Sequence, residues 1–555
     1  MRWTGWRPRY NPALPLPFAM TSAASPLFDL LVIGGGINGA GIARDAAGRG
    51  MSVLLAEQDD LAAHTSSWST KLIHGGLRYL EYYEFRLVAE ALREREVLLA
   101  NAPHIIEPLA FVLPYESHLR PAWMIRVGLF LYDHLGGRMT LPKSFGVKLA
   151  GSRWGAGLLP KFARGFVYAD ARVDDARLVV LNALDAKGRG ADIRLHTRVV
   201  GARREGGEWR ATLRAEAGVA TEVRARAIVN AGGPWVKRVL DSVSATPSKE
   251  NVRHVKGSHI VVPRVHPEEH AYILQNADNR IVFVIPYQEH YSLIGTTDIP
   301  VEEYEHPAIT EDEIDYLLQL VNSYLAKPLI RSDVVWSYSG VRPLHDDGST
   351  NPAAVTRDYV FKIDALEGEP GPDRAPVLSI FGGKITTYRK LAESALAQLA
   401  TYFPGMKPDW TRTAPLPGGD LPKQDRNAFV AELCRRYPAL PAEFLRAIAR
   451  RHGMRARHIL GEAGTMADLG QDFGGGLTSR EVDYLMTEEW ARSADDVLWR
   501  RTKCGLPMTP TQRSAVAAYC DDAAGTAKGE SAAGATKGES AAGAADGECA
   551  AGAAT

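Results

Sequence analysis

Residues 28–57 read FDLLVIGGGINGAGIARDAAGRGMSVLLAE, and this stretch decides the fold. Phe28–Ile33 is a short apolar run ending in glycines, Ile37–Gly48 is small and helical, and Ser52–Ala56 is a second apolar run. Strand, helix and strand in that order predict a parallel sheet. Gly34-Gly35-Gly36-Ile37-Asn38-Gly39 carries the GxGxxG spacing between them. Gly34 permits the tight turn, Gly36 lets a pyrophosphate approach the backbone, and Gly39 lets helix and strand pack closely. The helix N-terminus, where Asn38 sits, offers unpaired N–H groups and partial positive charge to phosphates. Glu57, about 20 residues on, can take ribose hydroxyls.

This motif alone leaves NAD and FAD both open. Ala43 and Gly50 extend the small-residue register in the way that suits helix packing in FAD proteins. Val229-Asn230-Ala231-Gly232-Gly233 resembles a second strand-and-glycine segment of flavin folds. Phe381-Gly382-Gly383-Lys384-Ile385-Thr386-Thr387 sets another helix N-terminus after a strand, where a dipole can stabilise negative charge on reduced flavin. Either segment could also be an ordinary strand-to-helix turn.

The chain has 555 residues, 45% of them hydrophobic, with 65 Lys+Arg against 65 Asp+Glu. That length suggests two to four domains. Zero net charge argues against a nucleic-acid partner held by bulk positive charge. Four cysteines without a CxxC pair argue against a disulfide framework or a metal site and fit a reducing compartment. No uncharged apolar run is long enough to span a bilayer. Residues 1–27, with Arg2, Arg7, Arg9 and no acid, read as a disordered basic head. Residues 523–555 hold one nonapeptide written three times (Lys528–Thr536, Lys537–Ala545, Asp546–Ala554) and read as a solvated low-complexity tail.

Between these ends the pattern predicts a long helix over Tyr82–Ala100, a helix capped by Asp174, and a hairpin around Glu205-Gly206-Gly207. Mostly β structure is expected over Val252–Thr297. Thr310 and Glu313 have capping-box spacing. After the Pro415–Gly419 linker the chain turns helical to about Tyr519.

Ten blocks then carry a resemblance. They are IGGGINGAGIARDAAGRG, TSSWSTKLIHGGLRYLEYYEFRLVAEALREREVLL, RPAWMIRVGLFLYDHLGG, KGSHIVVPRVH, NRIVFVIPY, IGTTD, YSGVRPL, TRDY, FGGKITTYRKLAE and ADDVLWRRTKCG, spread over about residues 28–505. The chain resembles the bacterial, respiratory, FAD-dependent glycerol-3-phosphate dehydrogenases. The resemblance implies an α/β fold with a Rossmann-like FAD-binding domain of the glutathione-reductase and amino-acid-oxidase type. That domain spans 28–414 and is interleaved with an antiparallel substrate domain at about 104–170 and 250–345. A C-terminal helical cap domain follows at 415–522. The resemblance further implies oxidation of sn-glycerol 3-phosphate to dihydroxyacetone phosphate, with hydride passing from C2 to flavin N5 and electrons to a membrane quinone. Peripheral attachment to the inner face of the cytoplasmic membrane is implied too, and a homodimer is compatible with it.

A phosphate dianion calls for guanidinium and ammonium groups, because Arg matches phosphate oxygens bidentately. Arg78, Arg342, Arg357 and Lys384 lie in matching blocks and are the candidate substrate cations, with Tyr79 beside Arg78 as a further contact. Oxidising a secondary alcohol also needs a proton acceptor, which histidine suits near neutral pH. His259 is the first choice and His74 the second; alternatively Arg342 lowers the hydroxyl pKa and no single base is essential. Thr65, Ser66 and Lys71 form a polar loop expected to bond the cofactor, as are Gly75, Gly232, Gly382, Gly383 and Thr386. The stretch Pro121–Leu135, flanked by Arg120, Arg126 and Arg138, is the first candidate for membrane contact, and Lys384–Leu399 the second. Alternative readings are an oxidase of the same substrate that uses oxygen, an amine or amino-acid oxidase, and a non-catalytic flavin-binding scaffold.

Overall fold

The computed structural model describes residues 25–116, 120–243, 250–276, 280–346, 358–523 and 525. The expected basic head, apart from its last residues, nearly all of the repeat tail, and Arg357 lie outside the described residues.

The first sheet has eight strands. Six lie in one path: β1 (Leu27–Ile33), β2 (Val53–Ala56), β3 (Asp192–Arg194), β4 (Ala220–Asn230), β5 (Val360–Asp364) and β6 (Val377–Phe381). The other two, Thr197–Glu205 and Glu208–Ala215, are the predicted hairpin, which pairs onto β4. The order along the path is β5-β6-β4-β1-β2-β3. β1 lies parallel to β2 and β4, with Ile33 opposite Ala56 and Asn230. Helices cover it because a parallel sheet must bury both faces. On one face α1 (Ile37–Gly48) lies between α2 (Asp175–Gly188) and α3 (Tyr388–Leu399). Its small residues allow this: a Cβ on Gly41 would come within 2.7 Å of the Tyr388 ring. Asp174 caps α2 by accepting from the Arg177 N–H, an interaction worth about 1 kcal/mol. α3 buries Tyr388, Leu391, Ala392, Ala395, Leu396 and Leu399, which removes Lys384–Leu399 as a membrane element.

The second sheet has ten strands and is antiparallel except where Ala271 and Tyr272 run parallel to Phe111 and Val112. Its longest pairing joins Val252–Pro263 to Trp336–His345, with Val255 opposite Arg342 and His259 opposite Tyr338. The Thr310–Glu313 capping box forms, and the helix it opens buries Leu317, Leu318 and Val321 against this sheet. A separate apolar core runs from Leu421 to Cys520 in the C-terminal region.

One helix starts later than its periodicity suggests. The long helix is Phe85–Asn101, and Leu77–Tyr82 forms a tight 3-10 turn before it. Gly76 and Tyr83 bracket that turn with left-handed φ values of 75° and 61°, which interrupt an α-helix.

The Ala122–Leu135 helix buries Leu129 and Tyr132 on one side, while Trp123, Val127 and Phe130 are 66%, 50% and 58% exposed on the other. Tyr82, Tyr83 and Phe85 are exposed on the adjoining turn. Among the described residues no helix is long and apolar enough to cross a membrane.

Three buried histidines set an acid limit on this fold. Burial, with help from Arg177, pushes His104 down to about 3. Burial likewise pushes His266 to about 4 and His270, stacked on it at 4.6 Å, to about 3. All three are neutral when folded but titrate near 6.5 when unfolded. Their contribution is therefore full above about pH 6.5 and is lost as pH falls toward the folded values. Glu107, held near 2 by Arg426 and Arg172 against its burial, loses its contribution only below about 4.5. The urea midpoint should thus fall between about pH 6.5 and 5, and His270→Gln should flatten that fall. A midpoint constant over this range would contradict the assignment.

Candidate active site

The C-terminal ends of β1, β2, β4 and β6 open into one groove. Crevices beyond the carboxyl ends of parallel strands are where such sheets bind ligands. Gly34, with φ of 112°, turns the chain directly after β1, and a Cβ there would lie 2.5 Å from the Ala231 carbonyl oxygen. Gly39 stands behind the turn, where a Cβ would be 1.9 Å from the Gly34 carbonyl oxygen. Gly36 faces the groove and, as the N-cap residue of α1, has no side chain with which to cap it. Ser66 Oγ accepts from the Ile37 N–H at 3.0 Å.

Glu57 follows β2 and is 7% exposed. Burial pushes its carboxyl above the usual range, opposed by the N–H groups of Asp59 and Gly35, which donate at 2.8 and 2.6 Å. Thr65 donates to the Val341 carbonyl at 2.7 Å, tying the loop after β2 to the second sheet. Asn38 donates to the Gly382 carbonyl at 3.3 Å. Gly34, Gly36, Asn38, Glu57, Thr65, Ser66, Gly232, Gly382 and Gly383 all line the groove.

Four expected cofactor residues do not: Gly39, which backs the turn, Lys71, Gly75 and Thr386. The Lys71 ammonium is bound to the Asp175 carboxylate at 2.9 and 3.0 Å and to the Ser67 carbonyl at 2.8 Å, so it serves a buried ion pair. The Gly75 N–H donates to the Tyr132 hydroxyl at 2.8 Å, and a Cβ there would meet Leu92 at 2.5 Å. Gly75 is a packing position. Thr386 lies outside the groove lining and accepts from the His74 N–H at 3.2 Å.

Pro343 and Gly383 line the groove, and their chain neighbours are Arg342 and Lys384. Arg342 pairs with Asp298 at 3.1 Å. The Lys384 ammonium lies 3.8 Å over the Tyr79 ring, and Arg78 adjoins Tyr79. His74 is half-buried nearby; burial pushes it below the usual histidine range, Asp170 opposes, and Lys384 adds to the lowering. His259 is different. It is 2% exposed, its ring stacks on Tyr338 at 4.8 Å, and its Nε2 meets Thr70 Oγ1 at 3.1 Å. Burial, Lys71 and Arg342 push it well below the usual range. His259 is thus the more deeply buried of the two histidines.

Sequence reasoning missed His64, Trp235, Arg238 and Thr197–Val200, which also line the groove. His64 is held by Asp59 at 2.7 Å and meets the Trp235 ring edge-on at 4.6 Å. Trp235 follows the quoted Ala231–Gly233 segment, so that segment was read one turn too short.

A nucleotide groove at strand ends, closed between two sheets and ending beside cations, defines a flavin-type oxidoreductase. A family profile described as FAD dependent oxidoreductase matches residues 29–360, and one described as the C-terminal domain of alpha-glycerophosphate oxidase matches 410–528. An aerobic glycerol-3-phosphate dehydrogenase of Escherichia coli is 54% identical over 88% of this chain and 97% of its own. A D-erythritol 1-phosphate dehydrogenase of Brucella abortus is 52% identical over 89% and 98%. The solved structure of a Bacillus halodurans glycerol-3-phosphate dehydrogenase complexed with FAD aligns with a TM-score of 0.67 at 25% identity, covering 89% of this chain and 93% of that one. The chain belongs to the family of FAD-dependent glycerol-3-phosphate dehydrogenases.

FAD is its cofactor, and the groove fits it: a helix N-terminus behind bare glycines for the pyrophosphate, and a buried carboxylate for the ribose. Gly39→Ala should displace the Gly34 turn and yield protein lacking flavin absorbance. Retention of FAD at wild-type level would show that the close approach is not needed.

Proposed function

We propose that this enzyme oxidises sn-glycerol 3-phosphate to dihydroxyacetone phosphate and passes the electrons to a membrane quinone. The observation that carries the reading is that Arg342 and Lys384, from two sheets, are each the chain neighbour of a groove-lining residue, Pro343 and Gly383. Bound FAD supplies the hydride acceptor. Arg342 and Lys384, with Arg78 and Tyr79, hold the phosphate, and Asp298 fixes the direction of the Arg342 guanidinium. His74, kept neutral by burial, takes the hydroxyl proton on its imidazole nitrogen.

Both relatives named above are called polyol-phosphate dehydrogenases, which supports the substrate class and sets the sharpest competitor. Under anaerobic conditions sn-glycerol 3-phosphate should bleach the flavin faster, per unit concentration, than D-erythritol 1-phosphate. The opposite order would reassign the substrate. Reoxidation faster by oxygen than by a quinone would reassign the acceptor. Arg342→Ala should retain FAD and raise KM by roughly 30-fold, the equivalent of about 2 kcal/mol for a charge-assisted contact. His74→Asn should slow flavin reduction with little change in KM, and a normal rate would remove His74 as the base.

Membrane contact is assigned to the Ala122–Leu135 helix. Trp123, Val127 and Phe130 form an outward apolar face, and Arg120, Arg126 and Arg138 lie around it. Such a face with basic flanks suits an anionic lipid surface. Trp123→Glu with Phe130→Glu should abolish co-sedimentation with anionic vesicles while leaving flavin reduction intact. Undiminished co-sedimentation would move the contact elsewhere.

A further inference from the structure

The block ADDVLWRRTKCG, residues 494–505, has no role in the site described so far. Its Asp496–Arg501 segment is a π-helical turn, a conformation that is rare and concentrated at functional positions. The turn belongs to the C-terminal region but reaches back across the molecule. Arg501 is fully buried, and its guanidinium grips the Asp60 carboxylate with two bonds of 2.6 and 2.7 Å. The same guanidinium donates to the Glu489 carbonyl at 2.8 Å. Arg500 adds a third bond to Asp60 at 2.6 Å and pairs with Asp496.

Asp60 lies three residues beyond Glu57, at the root of the loop that lines the groove with His64, Thr65 and Ser66. Within that loop the Asp60 carbonyl accepts from the Ala63 N–H at 3.1 Å, and the Ala62 N–H donates to the Gly35 carbonyl at 3.2 Å. The other face of the turn carries Trp499, stacked on Trp336 at 4.8 Å and 19°. Trp336 sits on the strand that supplies Arg342. Just beyond, Lys503 pairs with Asp174, the cap of α2, at 3.2 Å.

We propose that the Asp496–Arg501 turn is a positioning element for FAD, holding the 57–67 loop in its binding shape through the Arg501–Asp60 pair. Asp60 is 3% exposed, and a buried carboxylate that loses its partner must move or take a proton. Either change starts within three residues of Glu57 and is carried to Ser66, which accepts from the first N–H of α1. The C-terminal region thus contributes to cofactor retention without touching the groove. The inference rests on FAD binding and not on which polyol phosphate is oxidised.

The test is the rate of FAD release from purified holoenzyme on dilution, followed by the rise in free-flavin fluorescence, with thermal unfolding measured alongside. Arg501→Lys, which keeps the charge but loses the fork, and Asp60→Asn should each release FAD about tenfold faster. The double variant should match Asp60→Asn alone, because Arg501 acts through that carboxylate. Arg451→Lys serves as control: it breaks an equally buried pair with Glu481 inside the C-terminal core. It should lower the thermal midpoint and leave FAD release unchanged. The proposal falls if Arg501→Lys or Asp60→Asn releases FAD at the wild-type rate. It also falls if the two effects multiply in the double variant, or if Arg451→Lys matches them. If Arg501→Lys does not accumulate, Asp60→Asn alone is read in the same assay, and a wild-type rate there overturns the proposal equally.

Discussion

The contact on which the rest depends is between two stretches of backbone. Gly34 lies against the Ala231 carbonyl on one side, and its own carbonyl lies against the bare Cα of Gly39 on the other. No side chain fits in either gap, so the turn after β1 is pressed between α1 and the end of β4. This close packing aims the N-terminus of α1 at the groove. Apart from the Ile37 N–H, which Ser66 takes, the N–H groups and partial charge of that helix end are available to a diphosphate. The ends of β2, β4 and β6 then need only deliver short loops to complete the walls.

The second sheet supplies what the first lacks. A dinucleotide groove alone has no means of choosing a small phosphorylated alcohol. The strand pairing that sets Val255 opposite Arg342 also brings Arg342 beside a groove wall, while Lys384 arrives from the end of β6. Equal numbers of acids and bases over the whole chain are compatible with this, because the charges are sorted by place. Many are consumed in buried pairs, such as Arg177 with Glu489 and Arg389 with Glu94, where each partner is held against the cost of desolvation.

What could be read in advance follows from distance along the chain. The GxGxxG turn, the Asp174 cap and the Thr310–Glu313 capping box are local, and each forms as its spacing predicts. The groove glycines at 232, 382 and 383 were legible because each follows a strand. Lys71 was misread because its partner, Asp175, is 104 residues away, and nothing near Lys71 announces a buried acid. The packing of His259 was hidden for a related reason: its stacking partner Tyr338 comes from the neighbouring strand of a pairing that only the fold reveals. The Ala122–Leu135 helix was ambiguous because it is apolar on both sides, and only the packing shows which side is buried.

The Asp60–Arg501 pair spans 441 residues. During synthesis the loop after β2 emerges early, while the guanidinium that neutralises its buried carboxylate is among the last parts of the folded body to leave the ribosome. The first sheet can assemble in stages, but until residue 501 is free Asp60 has no partner at that position. A truncated chain ending before the π-turn would carry every groove-lining residue and still present a loop with an unmatched charge beneath it. The Asp60–Arg501 pair can therefore close only after nearly the whole described chain has been made, tying the nucleotide loop to the far end of the polypeptide.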